Sequence, residues 1–135
     1  MVKDRFHDAV RTALEKEGWT ITSDPYRMSV GDVDFEIDLA AEMLAAERAG
    51  EKIAVEIKSF IGRSNVSDFH TALGQFINYQ FALEEFEPER KLYLAVPESI
   101  YNSFFQRRFT RSVVERTQLR LLVYDEKQEV IVQWL

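Results

Sequence analysis

One stretch of the chain, from Asp32 to Phe60 (DVDFEIDLAAEMLAAERAGEKIAVEIKSF), restricts the fold more than any other. Near its end Ile53, Val55 and Ile57 alternate with Ala54, Glu56 and Lys58, the period of a strand with one buried face. Near its start Val33, Phe35, Ile37 and Leu39 alternate with Asp32, Asp34, Glu36 and Asp38. Side chains two residues apart on a strand point the same way. Glu56 and Lys58 therefore share a face, and the earlier run offers a row of carboxylates. An isolated acid-x-lysine is by default an ion pair on a solvated sheet face. The acidic strand in front of it shifts that balance toward a site.

Arg48-Ala49-Gly50 suits a three-residue hairpin loop, with glycine in the left-handed position such loops favour. That turn pairs Glu47 with Glu51, Glu42 with Glu56 and Ala40 with Lys58, and puts Asp38 opposite Phe60. Asp38, Glu42, Glu56 and Lys58 then lie on one face, and a slip by one residue would part them. Diagonal neighbours lie roughly 7–8 Å apart, a span two carboxylates can close around one cation. Three carboxylates and a lysine describe a hard-cation site with a charge beside it. By propensity alone LAAEMLAAERAG is also a good helix, with Asp38 as its N-cap. The strand and hairpin are the favoured alternative.

The 135 residues, 46% of them hydrophobic and ten of them Phe, are expected to form a single domain, 1–135, with a buried core. No apolar run reaches the length of a membrane span, and MVKDRFHD lacks a signal-peptide pattern. A cytoplasmic protein with no membrane partner is the expectation. The absence of cysteine excludes disulfides, thiolate nucleophiles and cysteine-ligated metals. His7 and His70 are too few and too far apart for a histidine metal site or a Ser-His-Asp triad, and no P-loop or G-x-S-x-G pattern occurs. The net charge of −6 argues against a stand-alone nucleic-acid binder. A divalent cation bound at the acidic row would offset part of it.

Residues 4–17 carry the stripe Phe6, Ala9, Val10, Ala13 and Leu14 of an amphipathic helix, ended by Gly18. His7, on its edge, reads as a partly buried structural histidine. Trp19–Thr22 is a short strand closed by Asp24-Pro25. A long helix capped by Asn65 or Ser67 runs to about Phe86, with Phe69, Leu73, Phe76, Ile77, Gln80, Leu83 and Phe86 as its core stripe. Gln75 and Tyr79, four apart, share another face. Lys91–Val96 fits a central strand buried on both faces. A helix is expected from Pro97 to about Gln118, and FQRRFTRSVVERTQLR at its end carries Arg107, Arg108, Arg111, Arg116 and Arg120 against Glu115 alone. This is the one basic patch: a solvated face by default, a phosphate-contacting face if the protein acts on DNA. LRLLVYD and VIVQWL make a last hairpin. The order α-β-β-β-α-β-α-β-β is α/β with a mixed central sheet.

Asp38…Glu56-Ile57-Lys58 on that order resembles the PD-(D/E)XK nuclease superfamily, which includes restriction endonucleases and Holliday-junction resolvases. Ile37 stands where that motif often has proline. Gln75-Phe-Ile-Asn-Tyr79 matches the Q-x-x-x-Y helix motif of its RecB-like branch. Over nearly the whole chain, DRFHDAV, EGWTITSDP, IDLAAEMLAAERAGEKIAVEIKSF, ALGQFINYQ, LYLAVP and VYDEKQEVIVQWL resemble the XisH family. Members of that family are named as controlling factors for excision of the fdxN element, a DNA rearrangement in nitrogen-fixing filamentous photosynthetic bacteria. The family is associated with a small partner, XisI, and a separate site-specific recombinase carries out strand exchange.

The resemblance implies a restriction-endonuclease-like fold and a divalent-metal-dependent DNA endonuclease, or a protein retaining that site. Asp38 and Glu56 would ligate Mg²⁺ or Mn²⁺ with the Ile57 carbonyl, and Glu42 would be a second-metal or outer carboxylate. Lys58 would stabilise the charge building on the phosphate, oriented with it by Gln75 and Tyr79. Arg107, Arg108 and Arg111 would meet the DNA backbone. A single site cuts one strand, so double-strand cleavage would imply a homodimer. A second possibility is a non-catalytic rearrangement factor that uses the same scaffold to bind XisI, the recombinase or DNA. A third is an interaction module whose carboxylates are only a solvated face.

Overall fold

The computed structural model describes residues 2–44 and 50–135. The chain opens with helix α1 (Val2–Lys16), whose Phe6, Ala9, Val10, Ala13 and Leu14 are all buried. Gly18 ends it at φ +95, a conformation only glycine adopts without strain. Strand β1 (Trp19–Ser23) follows, then a cis Asp24-Pro25 bond. Strands β2 (Tyr26–Val30) and β3 (Val33–Ile37) form a separate two-stranded antiparallel ribbon. The main sheet continues with β4 (Leu39–Met43) and β5 (Lys52–Ile57). Helix α2 (Asn65–Phe86), β6 (Lys91–Pro97), a short α3 (Glu98–Tyr101), a 3-10 turn (Phe104–Gln106) and α4 (Arg108–Thr117) come next. Strands β7 (Leu121–Asp125) and β8 (Val130–Trp134) close the chain.

The six-stranded sheet has the order β1-β4-β5-β6-β7-β8. Its centre, β5-β6-β7, is parallel and its flanks are antiparallel, so the fold is mixed α/β. Side chains alternate between two cores. Leu39, Ala41, Ile53, Val55, Ala95 and Leu122 pack under α1, while Ala40, Ala54, Leu92, Leu94 and Val96 pack with α2 and the ribbon. A sheet covered on both faces explains why β5 shows almost no solvated side, contrary to its expected alternation.

Several local expectations change. The acidic run is not one strand: it breaks at Asp38, β3 pairing with β2 and β4 joining the main sheet. Strand β2 was not foreseen, so five strands rather than three precede α2. Residues 39–43 are strand, the alternative favoured above, and not helix. The β4–β5 register is also different. Glu42 faces Lys52, Ala40 faces Ala54 and Leu39 faces Val55, where Glu42 was expected opposite Glu56. The slip is four residues, an even number, so every side chain keeps its face. The expected Glu47–Glu51 pair and most of the Arg48-Ala49-Gly50 loop lie outside the described residues; Gly50 itself has φ +91. In α2 the cap is Ser64, whose hydroxyl accepts from the Ser67 N–H, and Ile77 and Phe86 are exposed rather than core. The expected helix from Pro97 to Gln118 is three pieces, because Phe104 and Phe105 turn inward onto Phe60 and Phe69.

Candidate functional site

Asp38 occupies the break between β3 and β4, and in the observed register it comes level with the end of β5. The Ile57 N–H donates to Asp38 Oδ2 at 2.8 Å, and the Asp38 N–H donates to Glu56 Oε1 at 3.2 Å. Each carboxylate is thus held by the other strand's backbone. Glu56 is only 6% exposed, on the α2 side of a sheet covered on both faces. Burial, and then the negative charge of Asp38, push its carboxyl up to about 7, although Lys58 opposes the shift. Lys58 Nζ lies 3.7 Å from Glu56 Oε2. The backbone of Lys58 is fixed at both ends. Its N–H donates to Ala95 O at 3.0 Å, and its carbonyl accepts from the Tyr124 hydroxyl at 3.4 Å. Tyr124 is fully buried beneath it, which drives its phenol pKa upward.

Helix α2 lies over this face. The Tyr79 ring stands edge-on to Phe35, with centroids 6.2 Å apart. Its phenol is raised to about 12, first by burial and then by the charges of Glu56, Asp38 and Glu36. It therefore stays a protonated donor beside the acids. One turn earlier, the Gln75 side-chain oxygen is buried without a hydrogen-bond partner. A buried unpaired carbonyl is costly unless something arrives to meet it.

Two clefts meet here. One, about 40 Å³, is lined by Phe6, His7, Asp38, Ile57 and Ser59. The other, about 270 Å³ and open, is lined by Lys58, Ser59, Phe60, Ile61, Gly62, Asp68 and Thr71. Phe60 turns the chain between them at φ +56, which a bulky residue adopts only when its surroundings enforce it. The rings of Phe104 and Phe105, 6.4 and 5.5 Å away, hold it there. The same 3-10 turn leads into α4. Arg107 follows directly, its guanidinium 5.9 Å from the Phe104 ring, and Arg107, Arg108 and Arg111 are all exposed.

The structure thus brings together Asp38, Glu56, Ile57 and Lys58, with Tyr79 facing them and Gln75 one turn away. It does not bring Glu42. That residue lies four positions along β4, roughly 13 Å away at strand rise, and 3.7 Å from Arg90 Nη2. Asp34 and Glu36 are not part of a shared row either, being engaged by Ser29 and Arg27 on the ribbon. Among the described residues no three acidic or histidine side chains converge on a metal position. Two carboxylates and the Ile57 backbone still fit a small hard cation, which keeps several of its waters and needs one or two protein carboxylates.

Several supporting residues gave no sequence signal. Arg90, 6% exposed, donates to Ala41 O at 3.4 Å and Ile53 O at 2.9 Å, two residues that face each other in β4 and β5. Glu87 holds Arg90 from the other side at 2.6 Å and also accepts from Tyr26. This clamp ties together β4 and β5, the two strands that lead to Asp38 and Glu56. His7, foreseen only as structural, bonds Asp24 at 2.8 Å and lines the smaller cleft beside Asp38.

The XisH protein family profile matches residues 1–132. A crystal structure of an XisH family protein from Nostoc punctiforme PCC 73102 is 53% identical and covers 98% of this chain and 99% of its own, with a TM-score of 0.91. An fdxN element excision controlling factor protein from Anabaena variabilis is 54% identical over 97% of this chain and 98% of its own, with a TM-score of 0.90. No curated protein matches the chain. A profile spanning almost every residue, and two such structures above 50% identity, fix the assignment: the chain belongs to the XisH family.

Proposed function

We propose that the chain is a factor in excision of a DNA element and works there as a divalent-metal-dependent endonuclease of the PD-(D/E)XK kind. The observation that carries this is the reciprocal backbone bonding of Asp38 and Glu56, which fixes a half-buried and a buried carboxylate side by side with Lys58 next to them. Asp38, Glu56 and the Ile57 carbonyl would hold Mg²⁺ or Mn²⁺. The bound ion would supply a water of lowered pKa and polarise the scissile phosphate. Lys58, anchored to β6 and β7, would stabilise the negative charge that builds on the phosphate. Tyr79 would donate to the same oxygens or orient Lys58, and the unpaired Gln75 carbonyl would meet Lys58 or the incoming substrate. Arg107, Arg108 and Arg111 would grip the DNA backbone beyond Phe60.

A second proposal is favoured by the net charge of −6, which opposes tight DNA binding. Here the protein serves excision by binding an XisI-like protein or a site-specific recombinase, without cutting. Nicking of supercoiled plasmid with Mn²⁺, with and without chelator, separates the two. The nuclease reading expects metal-dependent nicking that Lys58→Ala reduces about 100-fold or more, the scale for losing one charge-stabilising donor. Equal nicking by folded mutant and parent, or none by the parent, would overturn it. Calorimetric binding of an XisI-like protein would then support the second.

A further inference from the structure

The outward face of α2 is unlike the rest of the surface. Between Phe69 and Leu83 the helix carries no Asp, Glu, Lys or Arg, in a chain that is 30% charged. Val66, His70, Gly74, Ile77 and Phe81 fall within about 80° of arc at helical spacing, and all five are exposed. Val66 is 49% exposed, Ile77 38% and Phe81 61%. Depletion of charge with an aromatic at the edge marks interface surface rather than ordinary solvated helix. Gly74 sharpens the point. In mid-helix a glycine is less stable than alanine by about 1 kcal/mol, yet a Cβ there would touch nothing within 4 Å. Nothing inside the described chain calls for it.

We propose that this face binds a second copy of the chain, α2 against α2 and antiparallel, about a two-fold axis beside Gly74. The order of side chains is self-complementary in that arrangement. Val66 of one copy meets Phe81 of the other and His70 meets Ile77, with Gly74 beside the axis, letting the backbones approach. The same register carries Arg63, exposed just before α2, to the exposed Glu84 of the other copy, and the pair occurs twice by symmetry. Charge complementarity at both ends of an uncharged middle selects a second copy over an unrelated partner. Gln75 and Tyr79 point to the opposite side of α2, so the interface leaves the carboxylate site open. It stands or falls independently of nuclease activity.

Sedimentation equilibrium of the full chain tests this. The parent should sediment as a dimer of the 15.8 kDa chain. Phe81→Glu and Gly74→Leu should each raise the dissociation constant at least tenfold, with circular dichroism showing an unchanged fold. Arg63→Glu should weaken the dimer, and Arg63→Glu with Glu84→Arg should restore it. A parent that stays monomeric at millimolar concentration, with or without an added partner protein, would overturn the proposal. So would a dimer indifferent to Phe81→Glu, or a charge swap that fails to restore association.

Discussion

Asp38 and Glu56 are locked together by main-chain hydrogen bonds running in both directions between their strands. The arrangement fixes their positions while leaving their charges to repel. Burial first, and then the charge of Asp38, raise the Glu56 carboxyl to about 7, while Lys58, 3.7 Å away, opposes the shift. On the proposed metal-binding reading, a divalent ion would compete with a proton at this carboxyl, which would link metal, proton and stability at one point.

The linkage has a defined sign. Glu56 rises from 4.5 to about 7 on folding. Its contribution to stability is therefore fully present below about pH 4.5 and is lost as pH rises through about 7. The loss is at most roughly 3 kcal/mol. Thermal melts of parent and Glu56→Gln should diverge over that window, the variant becoming relatively more stable at the alkaline end. Mn²⁺ should raise the parent Tm more at about pH 8 than at about pH 5. In Asp38→Asn, the Glu56 carboxyl followed by carbon NMR should titrate lower, yet still above 4.5, because burial is the larger cause. A flat difference between parent and Glu56→Gln across the window would refute the linkage.

The clamp behind the site makes a separate prediction. Burial pushes the Glu87 carboxyl up, but hydrogen bonds from Arg90 and Tyr26 outweigh it and hold the group near about 2. Stability from Glu87 is present above 4.5 and is lost as pH falls toward 2. Glu87→Gln should therefore be most destabilising near neutrality and converge with the parent in acid. Arg90→Met should cost about 3 kcal/mol, since it removes a donor from the carbonyls of Ala41 and Ile53 and takes from Glu87 its nearest cationic partner, leaving it Tyr26 and Lys52. The double variant Glu87→Gln/Arg90→Met should cost less than the sum of the two. Additive losses in urea titrations would show that the residues do not act as one unit.

What the sequence revealed and what it concealed divide along physical lines. The E-x-K strand, α1, α2 and the β6 strand were legible because each carries an uninterrupted period. Asp38, Glu56, Ile57, Lys58, Gln75 and Tyr79 were named from spacing and resemblance, and the fold brings Asp38, Glu56, Ile57 and Lys58 together with Tyr79 facing them. The β4–β5 register was not legible, because no local pattern fixes where the connection turns: the ladder closes at Met43 against Gly50 and Glu51, and Arg90, 49 residues from Ala41, bonds both strands. Glu42 was misplaced with that register, since it faces Lys52 rather than Glu56. The ribbon strand β2 was missed because Tyr26, Arg27, Met28, Ser29 and Val30 are too short a run, with only Tyr26 and Met28 buried. The long helix after Pro97 broke because Phe104 and Phe105 fill a core space beside Phe60 that no local pattern announces.

The last prediction concerns the basic segment. Arg107, Arg108 and Arg111 are exposed on α4 and the turn before it, and neither an ion pair nor a hydrogen bond among the described residues engages their side chains. If all three meet phosphates, each releases about one counterion on binding duplex DNA. Replacing the three with Gln should then flatten the slope of log affinity against log salt by up to about 2.7. Affinity should drop most at low salt, with little change in Tm, since exposed side chains contribute little to stability. Lys58→Ala should behave differently, abolishing nicking while leaving most of the salt slope intact. Fluorescence anisotropy with labelled duplexes over a salt series reads both effects. An unchanged slope in the triple variant would assign α4 to solvent and leave the DNA, if bound at all, to another face.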